Sequence, residues 1–146
     1  MSAEPPFPRF LDNSRTSPQR PRMFLTLSQV ALGGAIGASL RYLTNVGSMR
    51  LFGPGFPMGT LIVNILGSFL MGVIVVGLAK RGGNHLAPLL MTGILGGFTT
   101  FSAFSLDALT LWERGQQGLA FAYVAASVLL SLAAIAAGLF VARNLL

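Results

Sequence analysis

Behind a first segment rich in proline and arginine, the chain alternates long apolar blocks with short polar breaks. Met23 to Leu40 carries no charged residue, and the apolar pattern runs on past Arg41 to about residue 46. Met58 to Ala79, Leu86 to Leu106 and Gln116 to Ala142 are each free of Asp, Glu, Lys and Arg, and the third block continues past Asp107 to about residue 112. A helix needs about 20 mainly apolar residues to cross the hydrocarbon core of a bilayer. In lipid it satisfies every backbone polar group within its own segment. The short alternating segments of a membrane β-barrel are missing. The pattern therefore predicts an all-α membrane protein with four transmembrane helices, over about residues 23–46, 58–79, 86–112 and 117–142. Pro54, Gly55 and Pro57, then Gly82, Gly83 and Asn84, then Gly115 mark connections so short that neighbouring helices run antiparallel. Residues 23–146 are expected to form one four-helix transmembrane domain. Residues 1–22, with five prolines and too little apolar content for a core, are expected to be a disordered tail.

Composition supports the membrane reading. Of 146 residues, 53% are hydrophobic and 10% charged. A soluble domain carries about 25% charged residues. The formal charge of +6 does not point to nucleic acid, because the arginines sit at chain ends and between apolar blocks, with no basic stripe and interleaved aromatics. No cysteine is present, which removes disulfides, thiolate nucleophiles and Cys-based zinc sites. His85 is the single histidine. With no second His or carboxylate cluster beside it and no phosphate-binding loop, the sequence offers no enzyme machinery.

The cations also bear on orientation. Outside the tail, Lys80, Arg81 and Arg143 fall at one membrane face, and Arg41, Arg50 and Arg114 at the other, three against three. Topology follows the Lys and Arg bias near helix ends. The helical part alone expresses no preference, so either the tail sets the orientation or the protein inserts both ways.

Polar and small residues inside the spans are the candidate chemistry. Gly33 and Gly37 make a small-xxx-small pair suited to close helix approach. Arg41, read as the end of the first helix, is placed to snorkel to an interface. Asn64 lies well inside the second span. A primary amide there is costly unless paired, so it either makes a helix–helix hydrogen bond or lines a wet path. The third span holds Gly93, Gly96 and Gly97 followed by Phe98, Thr99 and Thr100. Glycine is a poor helix former and threonine a middling one, so this Gly-Gly-x-Thr-Thr stretch predicts a broken third helix with freed carbonyls and N–H groups. Such backbone is tolerated at membrane depth only inside protein or beside a cavity. Phe101 and Phe104 are three apart and share a face if the helix resumes, and an aromatic ring offers a positive edge to an anion. Tyr123, Ser127 and Ser131 recur every fourth residue on the fourth span. They form either a packing seam, with serines bonding back to the preceding turn, or a file of hydroxyls along a pore.

Three motifs together resemble the Fluc (CrcB) fluoride channel family. They are Gly33-Gly34-Ala35-Ile36-Gly37-Ala38 with Arg41-Tyr42, Gly59-Thr60-Leu61 with Val63-Asn64, and Gly96-Gly97-Phe98-Thr99-Thr100-Phe101-Ser102 with Phe104. The resemblance runs from about residue 23 to the C-terminus. It implies an antiparallel, dual-topology homodimer in the cell (inner) membrane, with two fluoride pores at the dimer interface. It also implies a central Na⁺ that is structural rather than transported, held by the backbone carbonyls of Gly96 and Thr99. Asn64, Phe101, Ser102, Phe104, Tyr123, Ser127 and Ser131 would line the pore, and Arg41 and Asp107 would have structural roles. Ala103 stands where the family usually has Thr, and Asp107 where it more often has Glu. The expected activity is passive fluoride export that lowers cytoplasmic fluoride, with the fluoride ion, the lipid bilayer and a second copy as partners and no nucleic acid. On this reading Asn64→Ala and Phe101→Ile abolish flux and leave assembly intact. The alternative is a small four-helix dual-topology drug/proton exporter. That class needs a functional acid in its first helix, and Met23 to Tyr42 has none.

Overall fold

The computed structural model describes residues 19–146. The expected disordered tail at 1–22 lies outside the described residues for positions 1–18, while positions 19–22 are helical. They extend the first helix, α1 (Gln19–Phe52). Pro21 falls in its first turn, where a missing N–H removes no helical bond. At about 1.5 Å per residue α1 is about 50 Å long, well beyond the roughly 30 Å hydrocarbon core. Arg41 is therefore not at a helix end, as the sequence suggested, but well inside α1.

The second helix is α2 (Met58–Arg81). The third crossing is composite: a 3₁₀ turn Asn84–Leu86, a π-helical stretch Pro88–Leu95, a short helix α3 (Gly96–Phe98) and, after two extended residues, α4 (Phe101–Glu113). The last helix is α5 (Gln117–Leu145). Four helical segments are long and apolar enough to cross a membrane, 22–52, 58–81, 84–113 and 117–145. Gly53, Gly82 and Gly115 end the first three crossings with φ of +76°, +67° and +75°, conformations that favour glycine.

Packing follows the small residues. α2 lies along α5, and α1 lies along the π-helical stretch and α3. At Gly72 an added Cβ would meet the Ile135 carbonyl oxygen and, at 2.8 Å, the Leu139 nitrogen. At Gly37 it would meet the Ile94 carbonyl oxygen and, at 2.8 Å, the Phe98 nitrogen. Without strong hydrophobic drive between helices in lipid, such backbone approach is what holds the bundle. A buried cluster of Phe104, Leu111, Ala120 and Tyr123, flanked by Phe56, Leu61 and Ala108, packs together toward the end of the bundle where α5 begins.

Candidate functional site

The two extended residues organise the site. Thr99 ends α3 at φ −82°, ψ 158°, and Thr100 precedes α4 at φ −155°, ψ 121°. Gly96 and Gly97 are themselves helical, so the interruption falls on the threonines alone. The glycines serve packing instead: an added Cβ at Gly97 would lie 2.7 Å from the Gly34 carbonyl oxygen. Asn64 holds the interruption open. The Thr100 N–H donates to Asn64 Oδ1 at 2.8 Å, and Asn64 Nδ2 donates to the Thr100 carbonyl at 3.0 Å. The amide thus stands in for the helical partners that Thr100 gives up. Thr100 also caps α4, its hydroxyl accepting from the Ala103 N–H at 3.2 Å and lying 3.3 Å from the Ser102 hydroxyl. This capping role was missed in the sequence, although a threonine ahead of a resuming helix is a preferred N-cap. The Thr99 hydroxyl bonds back to the Leu95 carbonyl at 2.9 Å.

Arg41 reaches this interruption rather than the membrane surface. Its Nη1 lies 3.4 Å from the Thr99 carbonyl, at the long end of a hydrogen bond. Snorkelling to an interface is overturned, because the guanidinium is half-buried against the third crossing.

Beside the interruption lies a cleft of about 370 Å³ lined by Asn64, Ser68, Thr100, Phe104, Ser127 and Ser131, among others. Phe101 and Phe104 both border it, their ring centroids 5.3 Å apart and tilted by 50°. Phe104 is 9% exposed and Phe101 78% exposed, so one ring is packed and the other uncovered. The hydroxyls of Ser127 and Ser131 are buried and have no hydrogen-bond partner. That is unusual, because buried polar groups are nearly always paired. Ser28, Ser39 and Ser105 bond back to the carbonyl four residues earlier, whereas these two serines do not. Ser68, one turn beyond Asn64 on α2, also lines the cleft and was not singled out in the sequence.

Tyr123 is fully buried between Phe56 and Phe104, each ring centroid 5.5 Å from its own. Its hydroxyl donates to Asp107 Oδ2 at 3.3 Å. That is longer than the usual O–H···O distance, as a carboxylate one methylene short of glutamate would leave it. Asp107 faces a second cavity of about 420 Å³, bordered by Asn45, Ser48, the Gly53–Gly59 loop, Thr60, Ala103 and Arg114. Among the described residues no group of three or more His, Cys, Asp or Glu is placed to hold a metal.

Comparison with known proteins gives the family. A family model described as CrcB-like protein, Camphor Resistance (CrcB), matches residues 28–139. A protein of Cereibacter sphaeroides named fluoride-specific ion channel FluC is 72% identical over 122 residues, covering 84% of this chain and 98% of its own. Proteins of the same name from Paracoccus denitrificans and Agrobacterium fabrum are 61% and 54% identical, covering 82% and 83% of this chain and 96% and 98% of their own. With four membrane-crossing helices and relatives matched over nearly their whole length, the chain is a multi-pass membrane protein that belongs to the CrcB family.

Proposed function

We propose that this chain is a fluoride-selective channel that lets the ion leave the cytoplasm passively and so limits its toxicity. The names carried by its relatives support the ion. The observation that carries the reading is the cleft in which two buried, unpartnered serine hydroxyls face a phenylalanine pair beside Asn64. Fluoride is small and tightly hydrated. A pore must replace its water with donors, yet bind weakly enough to release it. The hydroxyls of Ser127 and Ser131 and the ring edges of Phe101 and Phe104 are neutral partners of that kind, while the Tyr123 hydroxyl, one turn from Ser127, is given to Asp107. Ser102, exposed at the start of α4, adds a further hydroxyl. No catalysis is assigned to these residues.

The working unit of this proposal is an antiparallel homodimer. Thr99 and Thr100 are non-helical in the middle of a crossing, with Phe101 and Ser102 exposed beside them. Lipid does not tolerate such backbone, whereas a second protomer would cover it. With Arg41 inside the span, Lys80, Arg81 and Arg143 at one face stand against Arg50 and Arg114 at the other, a difference of one that permits both orientations in the inner membrane, so the two copies would enclose two pores.

A structural Na⁺ fits the same place. Thr100 gives its N–H to Asn64, which leaves the Gly96 carbonyl without its ordinary helical donor. The Thr99 carbonyl, held only by the long Arg41 contact, lies three residues on. Hard cations select oxygen ligands. A second copy would bring the same two carbonyls, making four oxygen ligands. Bound there, the ion would offset the carbonyl dipoles gathered at the interruption.

Fluoride efflux from liposomes containing the purified protein, followed with a fluoride electrode, tests the reading. Fast fluoride release with no chloride release is expected. Absence of release from dimeric, Na⁺-supplied protein would reduce the likeness to one of fold.

A further inference from the structure

The 420 Å³ cavity at the end of the bundle has a charge arrangement that the pore reading leaves unused. That end carries Arg50 on α1 and Asp107, Glu113 and Arg114 on or just after α4. Of these four, only Asp107 and Arg114 line the cavity. They lie seven residues apart, together with Thr110 and Leu111 between them. This spacing puts all four on one face of the helix. Asp107 sits deep, against the buried Tyr123 hydroxyl, and Arg114 is exposed where α4 ends. Seven residues of helix set the two positions about 10 Å apart along the axis. An anion entering through this cavity passes the Asp107 carboxylate before it reaches the Tyr123 hydroxyl that Asp107 holds. With Arg114 the cavity lining is formally neutral, and without it the lining carries one negative charge.

We propose that Arg114 is an electrostatic steering residue for the fluoride pathway, holding anions at the cavity mouth against the field of Asp107. The inference rests on the channel reading above. Arg114 touches neither the cleft nor the helix interruption, so it acts on delivery and not on selectivity. One unit charge at about 10 Å in water changes the local concentration of a monovalent anion about twofold. Charge-lined clefts with low-dielectric walls enlarge such effects. The effect must also fade with salt, because the screening length is about 30 Å at 0.01 M and about 3 Å at 1 M.

The test measures fluoride flux in liposomes for wild type and for Arg114→Lys, Arg114→Gln and Arg114→Glu. Ionic strength is set from 0.01 to 1 M with an impermeant salt. At low salt the expected order is wild type equal to Lys, Gln about twofold slower and Glu about fourfold slower. The four should converge at 1 M, with fluoride selectivity unchanged. The chain has no native cysteine, so Arg114→Cys provides a second arm. Modification in detergent with a cationic thiol reagent should restore low-salt flux, and an anionic reagent should depress it further. Equal flux for all variants at low salt, or a loss that persists at 1 M or ignores the sign of the reagent, overturns the proposal. Wild-type protein without fluoride flux would instead refute the channel reading itself.

Discussion

Removing the Asn64 amide should cost the protein stability as well as flux. The amide makes two hydrogen bonds to Thr100, at 2.8 and 3.0 Å, and Thr100 is 9% exposed. Asn64→Ala leaves the Thr100 N–H and carbonyl without their side-chain partner. Each buried unsatisfied group costs about 1–3 kcal/mol, so the variant should lose about 2–6 kcal/mol. Asn64→Asp separates the two bonds. It can accept from the Thr100 N–H but cannot donate to the carbonyl, and it sets an anionic oxygen against that carbonyl. It should therefore be no more stable than the alanine variant. The assay is equilibrium unfolding of the purified protein in mixed micelles with increasing SDS, alongside fluoride efflux. Wild-type stability in Asn64→Ala combined with lost efflux would refute the clamp. It would mean that the amide serves the ion alone.

The remaining expectations concern packing and the Tyr123–Asp107 pair. Gly72→Ala drives a methyl into the Ile135 carbonyl and should prevent recovery of folded protein. Gly47→Ala, with nothing within 4 Å of the new carbon, should stabilise by up to about 1 kcal/mol through helix propensity. Thermal unfolding in detergent compares the two. Tyr123→Phe removes a 3.3 Å bond and should cost about 1 kcal/mol and slow efflux. Asp107→Glu lengthens the reach toward the tyrosine and should raise the unfolding midpoint, and a fall in that midpoint would show that the cavity cannot take the longer side chain.

Much of this architecture was legible from runs of uncharged residues, because only helices satisfy their backbone across lipid. The number of crossings, the antiparallel neighbours and the importance of the third crossing came from that reading. Boundaries were less legible. α1 runs from Gln19 to Phe52, because Gln and Arg at its start and Ser, Met and Arg at its end are acceptable helix formers outside the hydrocarbon. Arg41 was misplaced for this reason: a charge looked like an end, while a long helix and a carbonyl at Thr99 gave it a partner inside. The π-helical stretch Pro88–Leu95 left no sequence signal. The site residues divide in the same way. Spacing on one helix put Tyr123, Ser127 and Ser131 in line. The pairing of Asn64 with Thr100 joins residues 36 positions apart, which no local pattern reports.

The most direct measurement compares fluoride efflux and SDS unfolding for wild type and a Ser127→Ala/Ser131→Ala double variant, at equal amounts of reconstituted protein. The two hydroxyls bond to nothing in the fold, so their loss should leave stability unchanged or slightly raised. If they serve the moving ion, wild type should release fluoride and not chloride, and the double variant should release fluoride at least tenfold more slowly. Equal fluoride release by the two proteins would contradict the account.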